Sequence, residues 1–215
     1  MSERLEKRPI PLFDLGNVVI KVDFAPFVEW LTARSEAKDP DRARALLRSS
    51  LFVDLEFGDI SREEFARRLR GLYKADFTQA ELEERFCAIF PGEVAGMSEV
   101  LRELASEGPL YCLSNTNEIH LSHIRERHPE LLSPFKRIFA SHEIRARKPY
   151  PGVYRGVADA LGVAPGRLVF FDDVQANVEG ALRAGLEAYL FLESEQVRSL
   201  LNDRGEMADN KNYGG

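Results

Sequence analysis

Carboxylates stand just past the ends of two apolar runs in this chain. Asp14 closes the run Ile10–Leu15, and Asp172 with Asp173 follows Leu168–Phe171. Ser114 and Asn115 end a third run, Leu110–Leu113, and Lys148 lies in the basic stretch Arg145–Pro149 ahead of another proline, Pro151. Acidic groups beside buried strands are costly unless they are paired or bind a metal. A phosphoryl group needs a metal and a cation to offset its charge, and hydrogen-bond donors to position it. These residue types supply that set. Two carboxylates near one another suit a hard divalent ion such as magnesium, which takes few carboxylates and keeps waters. Zinc would call for closely spaced His or Cys ligands, and none fits.

For these residues to meet, the apolar runs must be neighbouring strands. Three are named above; Ala188–Leu192 is a fourth, and Arg137–Ser141 a weaker fifth. Helical patterns separate them: Val94–Glu107 ends at Gly108, Pro151–Leu161 opens on proline and ends at Gly162, and Gln175–Ala184 ends at Gly185. Proline inside the start and glycine past the end are helix boundaries. Strands alternating with helices predict an α/β fold, a Rossmann-like three-layer core with a parallel sheet. In such sheets ligands bind at the carboxyl ends of the strands, where the polar residues collect.

Residues 24–92 break the alternation. They hold no convincing strand, and their spacing predicts about four amphipathic helices near Ala25–Arg34, Pro40–Ser49, Ser61–Tyr73 and Thr78–Phe90. Ser61 with Glu64 reads as a capping box, and Thr78 as an N-cap with Glu81 three residues on. The expected organisation is a discontinuous core, 1–23 and 93–204, with an all-helical cap at 24–92 and a disordered polar tail at 205–215.

The 215 residues are 44% hydrophobic and 30% charged, with net charge −6, as in an ordinary soluble globular protein. That charge argues against nucleic acid or an anionic membrane as partner. No apolar run reaches the ~20 residues of a membrane span, and the polar start lacks a signal-peptide core; a cytoplasmic location is expected. Cys87 and Cys112 sit in apolar segments and read as buried reduced thiols.

Phe13–Val18, Leu113–Asn115, Lys148–Pro151 and Phe171–Asn177 together resemble the four ordered motifs of the haloacid dehalogenase-like hydrolases, mostly phosphatases. The likeness runs through about residue 193, and the helical insert matches the family's cap. Details such as FDLGNV and LSNTN resemble a bacterial subgroup acting on sugar phosphates, glucose 1-phosphate among them; the stretch from Phe171 to Asn177 also resembles the phosphatase domain of soluble epoxide hydrolases. The resemblance implies that Asp14 is the nucleophile and forms an aspartyl-phosphate. It implies that Asp14 and Asp173 bind magnesium by side chain and Gly16 by its carbonyl. Ser114 and Asn115 would take phosphoryl oxygens and Lys148 would neutralise charge, with Asp172 and Asn177 behind them. The expected activity is hydrolysis of a small phosphorylated metabolite by a protein whose oligomeric state is unreadable, a monomer being favoured.

Position 16 departs from the family. Its phosphatases carry there a second aspartate, which protonates the leaving group and activates water; here it is glycine. A positioned acid–base contributes about 10²–10⁴-fold. A sugar 1-phosphate, whose anomeric hydroxyl is a better leaving group, would need less help; a substitute acid from the cap or Asp23 is another answer. A non-catalytic phospho-ligand binder and a metal-free 2-haloacid dehalogenase are the alternatives, with a phosphomutase behind them; clustered carboxylates repel without a metal, which speaks against the dehalogenase. Plainer roles compete residue by residue. Asp14 could be a turn residue, Ser114 and Asn115 a helix cap, Lys148 a solvated lysine and Asn177 a helix-surface residue. His120 and His123 share a helical face but lack a third ligand, so packing is expected, with a substrate-facing role open for His120. Arg42, Arg44, Arg48, Arg67, Arg68 and Arg70 read as solvated cap faces, Trp30, Phe24 and Phe27 as cap packing, and Gly58–Ser61 as a turn and helix cap.

Overall fold

The structure is a computed structural model and describes residues 8–201. Its centre is a sheet of strands β1 (Ile10–Phe13), β2 (Leu110–Ser114), β3 (Phe135–Ala140), β4 (Leu168–Asp172) and β5 (Glu187–Leu190) in the order β3-β2-β1-β4-β5. Every pairing is parallel. Parallel strands are buried on both faces, and strand alternation distributes the side chains. Phe13, Cys112, Val169 and Phe171 point to one face, against Met97, Val100, Leu101, Leu121 and Ile124. Leu12, Leu113, Leu168 and Phe170 point to the other, against Tyr154, Val157, Val178 and Ala181. This is the expected three-layer α/β core. Both cysteines are free and buried.

The core helices follow their punctuation: α6 (Met97–Glu107), α7 (Glu118–Arg127), α10 (Pro151–Leu161) and α11 (Gln175–Arg183), with short turns α8 (Pro129–Leu132) and α9 (Ser141–Ile144) between them. Val94–Gly96 lies outside α6, whose first turn starts behind a left-handed Gly96. Residues 194–201 are also helical. No helix among the described residues is long and apolar enough to cross a membrane. The tail expected at 205–215 lies outside the described residues.

Between β1 and α6 the described chain forms no strand in residues 24–92. Its helices are α1 (Ala25–Arg34), α2 (Pro40–Ala45), α3 (Ser50–Phe57), α4 (Arg62–Tyr73) and α5 (Gln79–Cys87). They enclose an apolar cluster of their own, centred on Phe27, Leu31, Leu55, Phe65, Leu69 and Phe86. The span expected as a helix over Pro40–Ser49 stops at Ala45, passes through a 3-10 turn at Leu46–Arg48, and restarts with Ser49 accepting the Phe52 N–H. Helix α3 escaped the sequence pattern because LFVDLEF has apolar residues around most of its girth, so no stripe marks it. Thr78 and Glu81 form the full capping box. Ser61 accepts the Glu64 N–H, but the Glu64 carboxylate turns to Arg67 and Arg68 instead. The chain enters and leaves this helical block along paired connections, with Lys21 N–H donating to Gly92 O at 2.8 Å and Asp23 N–H to Ile89 O at 2.8 Å.

Candidate active site

Asp14 is the first residue past β1, where its N–H still donates to Phe171 O of β4 at 2.9 Å. That bond brings the ends of the two central strands together. Asp172 is the last residue of β4 and is fully buried; Asp173 follows it, half-buried. Lys148, 2% exposed, lies between the two strand ends. Its Nζ is 2.7 Å from Asp14 Oδ1 and 2.6 Å from Asp172 Oδ2. Among the described residues it is the cation that touches this carboxylate group.

Asp172 is held from all sides. Oδ1 accepts the Val174 N–H at 2.8 Å and the Asn177 amide at 2.9 Å, and Asn177 is held in turn by Tyr154, whose hydroxyl donates to its carbonyl at 2.7 Å. Asp172 therefore anchors Lys148 and has little left for a ligand. Asp14 and Asp173 are freer. Asp14 Oδ1 takes Lys148 and the Leu15 N–H, and Asp173 takes the Asn17 amide at 3.2 Å. Asn17 sits in the left-handed region at φ 54°, a conformation asparagine tolerates better than most residues.

Charge compensation is incomplete. Burial pushes the Asp14 carboxyl up to about 7; Lys148 pulls the other way and Asp172 adds to the rise. Burial likewise raises Asp173. Burial alone would lower the Lys148 ammonium, but Asp14 and Asp172 outweigh it and hold its pKa above the ordinary value. One oxygen from each of Asp14, Asp172 and Asp173 lies within 4.8 Å of the others. A compact all-oxygen set with excess negative charge fits a hard divalent cation, and magnesium in particular.

The loops after β2 and β3 complete the site. The Asn115 amide pairs with the Lys148 backbone in both directions, accepting its N–H at 2.9 Å and donating to its carbonyl at 3.1 Å. Its side chain therefore positions the lysine rather than standing free for a phosphoryl oxygen. Ser114 is buried beside it, and its hydroxyl has no hydrogen-bond partner among the described residues. Ser141 Oγ accepts the Thr116 N–H at 2.9 Å and lies 2.8 Å from Thr116 O and 2.6 Å from Glu56 O, its single proton serving either carbonyl. Gly180 of α11 lets that helix reach the Lys148–Pro149 turn, for a Cβ there would stand 2.2 Å from Pro149 O.

Next to the carboxylate cluster, reaching Leu15 and Gly16 but not Asp14, Lys148, Asp172 or Asp173, lies a small cleft of about 130 Å³ between the core and the helical block. Gly16, Ser114, Asn115 and Thr116 form its floor, and Phe24, Phe52 and Glu56 its roof. His120 also lines it, but both ring nitrogens are engaged, Nδ1 with the Asn117 amide at 3.0 Å and Nε2 with Phe86 O at 3.1 Å. Burial among aromatic rings lowers its pKa to about 3, so it is a neutral link between α7 and α5. Asp23 is exposed, accepts the Ala25 N–H and does not line the cleft. Nor do Arg42, Arg44, Arg48, Arg67, Arg68 and Arg70 of the helical block, of which Arg44, Arg67 and Arg68 pair with Asp41 and Glu64. Phe27 and Trp30 pack inside the block as expected.

Sequence reasoning therefore named Asp14, Gly16, Ser114, Asn115, Lys148, Asp172, Asp173 and Asn177, and the fold brings them to one end of the sheet. It passed over Asn17, Glu56, Ser141 and Gly180. Glu56 sits in the helix that shows no stripe, and Ser141 and Gly180 are small residues whose use depends on what packs against them.

Residues 12–185 match the haloacid dehalogenase-like hydrolase family. D-ribitol-5-phosphate phosphatase of Bacteroides thetaiotaomicron is 24% identical over 185 residues, 83% of this chain and 89% of the relative. Flavin mononucleotide hydrolase 1 of Arabidopsis thaliana is 28% identical over 207 residues, 94% and 80% of the two chains. Among solved structures, a HAD family enzyme of Bacteroides thetaiotaomicron in complex with magnesium and inorganic phosphate superposes with a TM-score of 0.78. That pair is 22% identical over 86% of this chain and 95% of the other, and at that identity the likeness carries the fold.

Proposed function

The chain belongs to the haloacid dehalogenase-like hydrolase family as a phosphatase, and from that premise we propose that it hydrolyses small phosphomonoesters through an aspartyl-phosphate on Asp14. The carrying observation is the contact of Lys148 with both Asp14 and Asp172 at the carboxyl ends of the two central strands. Its cofactor is magnesium, which related structures hold together with phosphate and which the oxygen cluster here suits. Asp14 and Asp173, with the Gly16 carbonyl, would hold the ion; when bound it neutralises phosphoryl charge and orients the ester.

The chain's own residues do the rest. Asp14, buried and fixed by Lys148 and the Leu15 N–H, presents its second oxygen for in-line attack on phosphorus. Lys148 offsets the charge on nucleophile and phosphoryl group, held by Asp172 and, through its backbone, by Asn115. The Ser114 hydroxyl is free to donate to a phosphoryl oxygen. Residues 24–92 are the cap that closes over the ester, and the described parts of 1–23 and 93–204 the core; the apolar cluster of the helical block, which takes in Ile119 of the core, supports that division. A roof this close favours a small metabolite. Within that class the finer reading is a sugar 1-phosphate, the substrate type of the subgroup that the FDLGNV and LSNTN stretches resemble.

Turnover of p-nitrophenyl phosphate with magnesium, lost in Asp14→Asn, tests the activity. A panel of sugar 1-phosphates, sugar 6-phosphates and nucleotides tests the substrate class. Glucose 6-phosphate turned over as well as glucose 1-phosphate would overturn the finer reading, and inactivity across the panel would overturn the activity itself.

A further inference from the structure

Cleaving a P–O bond leaves a basic oxygen, and the glycine at position 16 has nothing with which to protonate it. A carboxyl group reaches the same cleft from the roof. Glu56, near the end of α3, lines it with Gly16, Ser114 and Asn115. It is 7% exposed and, among the described residues, the buried acidic residue that the metal cluster and the lysine contacts do not use.

The helix end that carries Glu56 is pinned to the loop leading to Lys148. Ser141 Oγ lies 2.6 Å from the Glu56 carbonyl. Gly58, left-handed at φ 69°, closes α3 so tightly against the core that a Cβ on it would meet His142 O at 2.6 Å. Arg145 pairs with Asp59 and donates to Gly58 O. The carboxyl group is thus fixed in the same frame as the lysine, a requirement for proton transfer at a set position.

Its partnering is incomplete. Oε2 is 2.7 Å from Arg147 Nη2, yet the contact lacks hydrogen-bond geometry, and both Oε2 and Arg147 Nε are buried without a hydrogen bond. Desolvation raises the Glu56 carboxyl above the ordinary glutamate value, with Arg147 and then Lys148 pulling it back. The charged or titratable groups facing it are Arg147 and Lys148 from the loop below and, across the cleft, the neutral His120. Such a group can exist in either protonation state as the charge in the cleft changes during turnover.

Resting on the phosphatase reading above, we propose that Glu56 is the general acid and base that Gly16 cannot be. As Asp14 bonds to phosphorus and the ester P–O bond breaks, the electron pair goes to the leaving oxygen, which takes the Glu56 proton and departs as an alcohol. The Glu56 carboxylate then takes a proton from the water that attacks the aspartyl-phosphate. The P–Oδ bond breaks, its electron pair returns to the Asp14 carboxylate, and inorganic phosphate leaves with Glu56 reprotonated.

The test compares Glu56→Gln and Arg147→Gln with the wild type on p-nitrophenyl phosphate, whose leaving group needs no acid, and on glycerol 2-phosphate, whose leaving group does. With Glu56→Gln the aryl ester should release a burst of about one equivalent of nitrophenol, then turn over about 10²–10⁴-fold slower for want of a base. The alkyl ester should give no burst and lose kcat at unchanged KM. Arg147→Gln should keep the wild-type ratio of alkyl to aryl turnover. Wild-type kinetics for Glu56→Gln overturn the proposal. So does a loss that Arg147→Gln reproduces, which would make the ion pair the whole of the effect. A raised KM at unchanged kcat also overturns it, by showing a substrate-binding role alone. Should Glu56→Gln fail to fold by circular dichroism, the double variant, with both members of the pair removed, carries the same comparison. A wild type without magnesium-dependent turnover would sink the parent reading; an active wild type with a Glu56→Gln that gives no nitrophenol burst on the aryl ester sinks this assignment only.

Discussion

Gly180→Ala tests whether the helix after β4 sets the position of Lys148, and with it the proposed activity. Adding one methyl to α11 would place a carbon 2.2 Å from Pro149 O and 3.0 Å from Pro149 C, where ordinary contact begins at 3.4 Å. Both atoms are backbone, so no side chain can swing aside, and the Lys148–Pro149 turn must retreat by roughly 1 Å, a misplacement that can cost about 10²-fold in rate. The lysine has no slack for that movement, because its Nζ bridges contacts of 2.7 Å and 2.6 Å on two different strands. Overpacking should also destabilise the fold by about 1–3 kcal/mol. The expected result is a folded protein with kcat for p-nitrophenyl phosphate reduced about 10²-fold at saturating magnesium, and a lower urea midpoint. Gly156→Ala is the control: that glycine is also helical, in α10, but a Cβ there meets nothing within 4 Å. It should keep wild-type kcat and gain about 0.5–1 kcal/mol from helix propensity. Wild-type kcat in Gly180→Ala, or an equal loss in Gly156→Ala, would show that the close approach of α11 does not set the position of Lys148.

Acid should weaken the fold through His120. Its folded pKa of about 3 lies below the ordinary 6.5, so the unfolded chain binds a proton that the folded one refuses, and stability is lost as pH falls from 6.5 toward 3. Between pH 7 and 5 this should amount to about 2 kcal/mol more for wild type than for His120→Gln in urea unfolding; matching pH slopes would count against a buried neutral imidazole. Magnesium should stabilise the protein independently of turnover, by about 2.7 kcal/mol at 100 times its Kd. The accompanying rise in melting temperature should be largely absent in Asp173→Asn, and a wild type whose melting ignores magnesium would contradict the oxygen cluster as its site.

The parallel core was legible because its signals are local. Apolar runs such as Leu168–Phe171, and helices bracketed by Pro151 and Gly162, carry their own boundaries. The site residues were legible because a strand end is where a parallel sheet exposes polar groups, so Asp14, Ser114, Asn115, Asp172 and Asp173 mark themselves by following buried runs. Helix α3 was not, since its residues face apolar neighbours on most sides and leave no amphipathic stripe. The break of the second cap helix at Ala45 was hidden as well, for Leu46–Arg48 continue the apolar pattern while the backbone tightens into a 3-10 turn.

What the sequence determined by itself was the set of groups: an aspartate at the first strand end, a second acidic strand end, a lysine and a glycine at position 16. Tertiary structure decided how they are shared out. Asp172 and Asn115 are spent on holding Lys148, because a buried ammonium needs its carboxylates and a buried backbone needs its amide partner. Glu56, unremarkable in the chain, enters the cleft because α3 packs its end against the Lys148 loop through Ser141 and Gly58. Contacts between residues 85 positions apart leave no local trace in the chain, and they are what set a glutamate opposite the vacant position at Gly16.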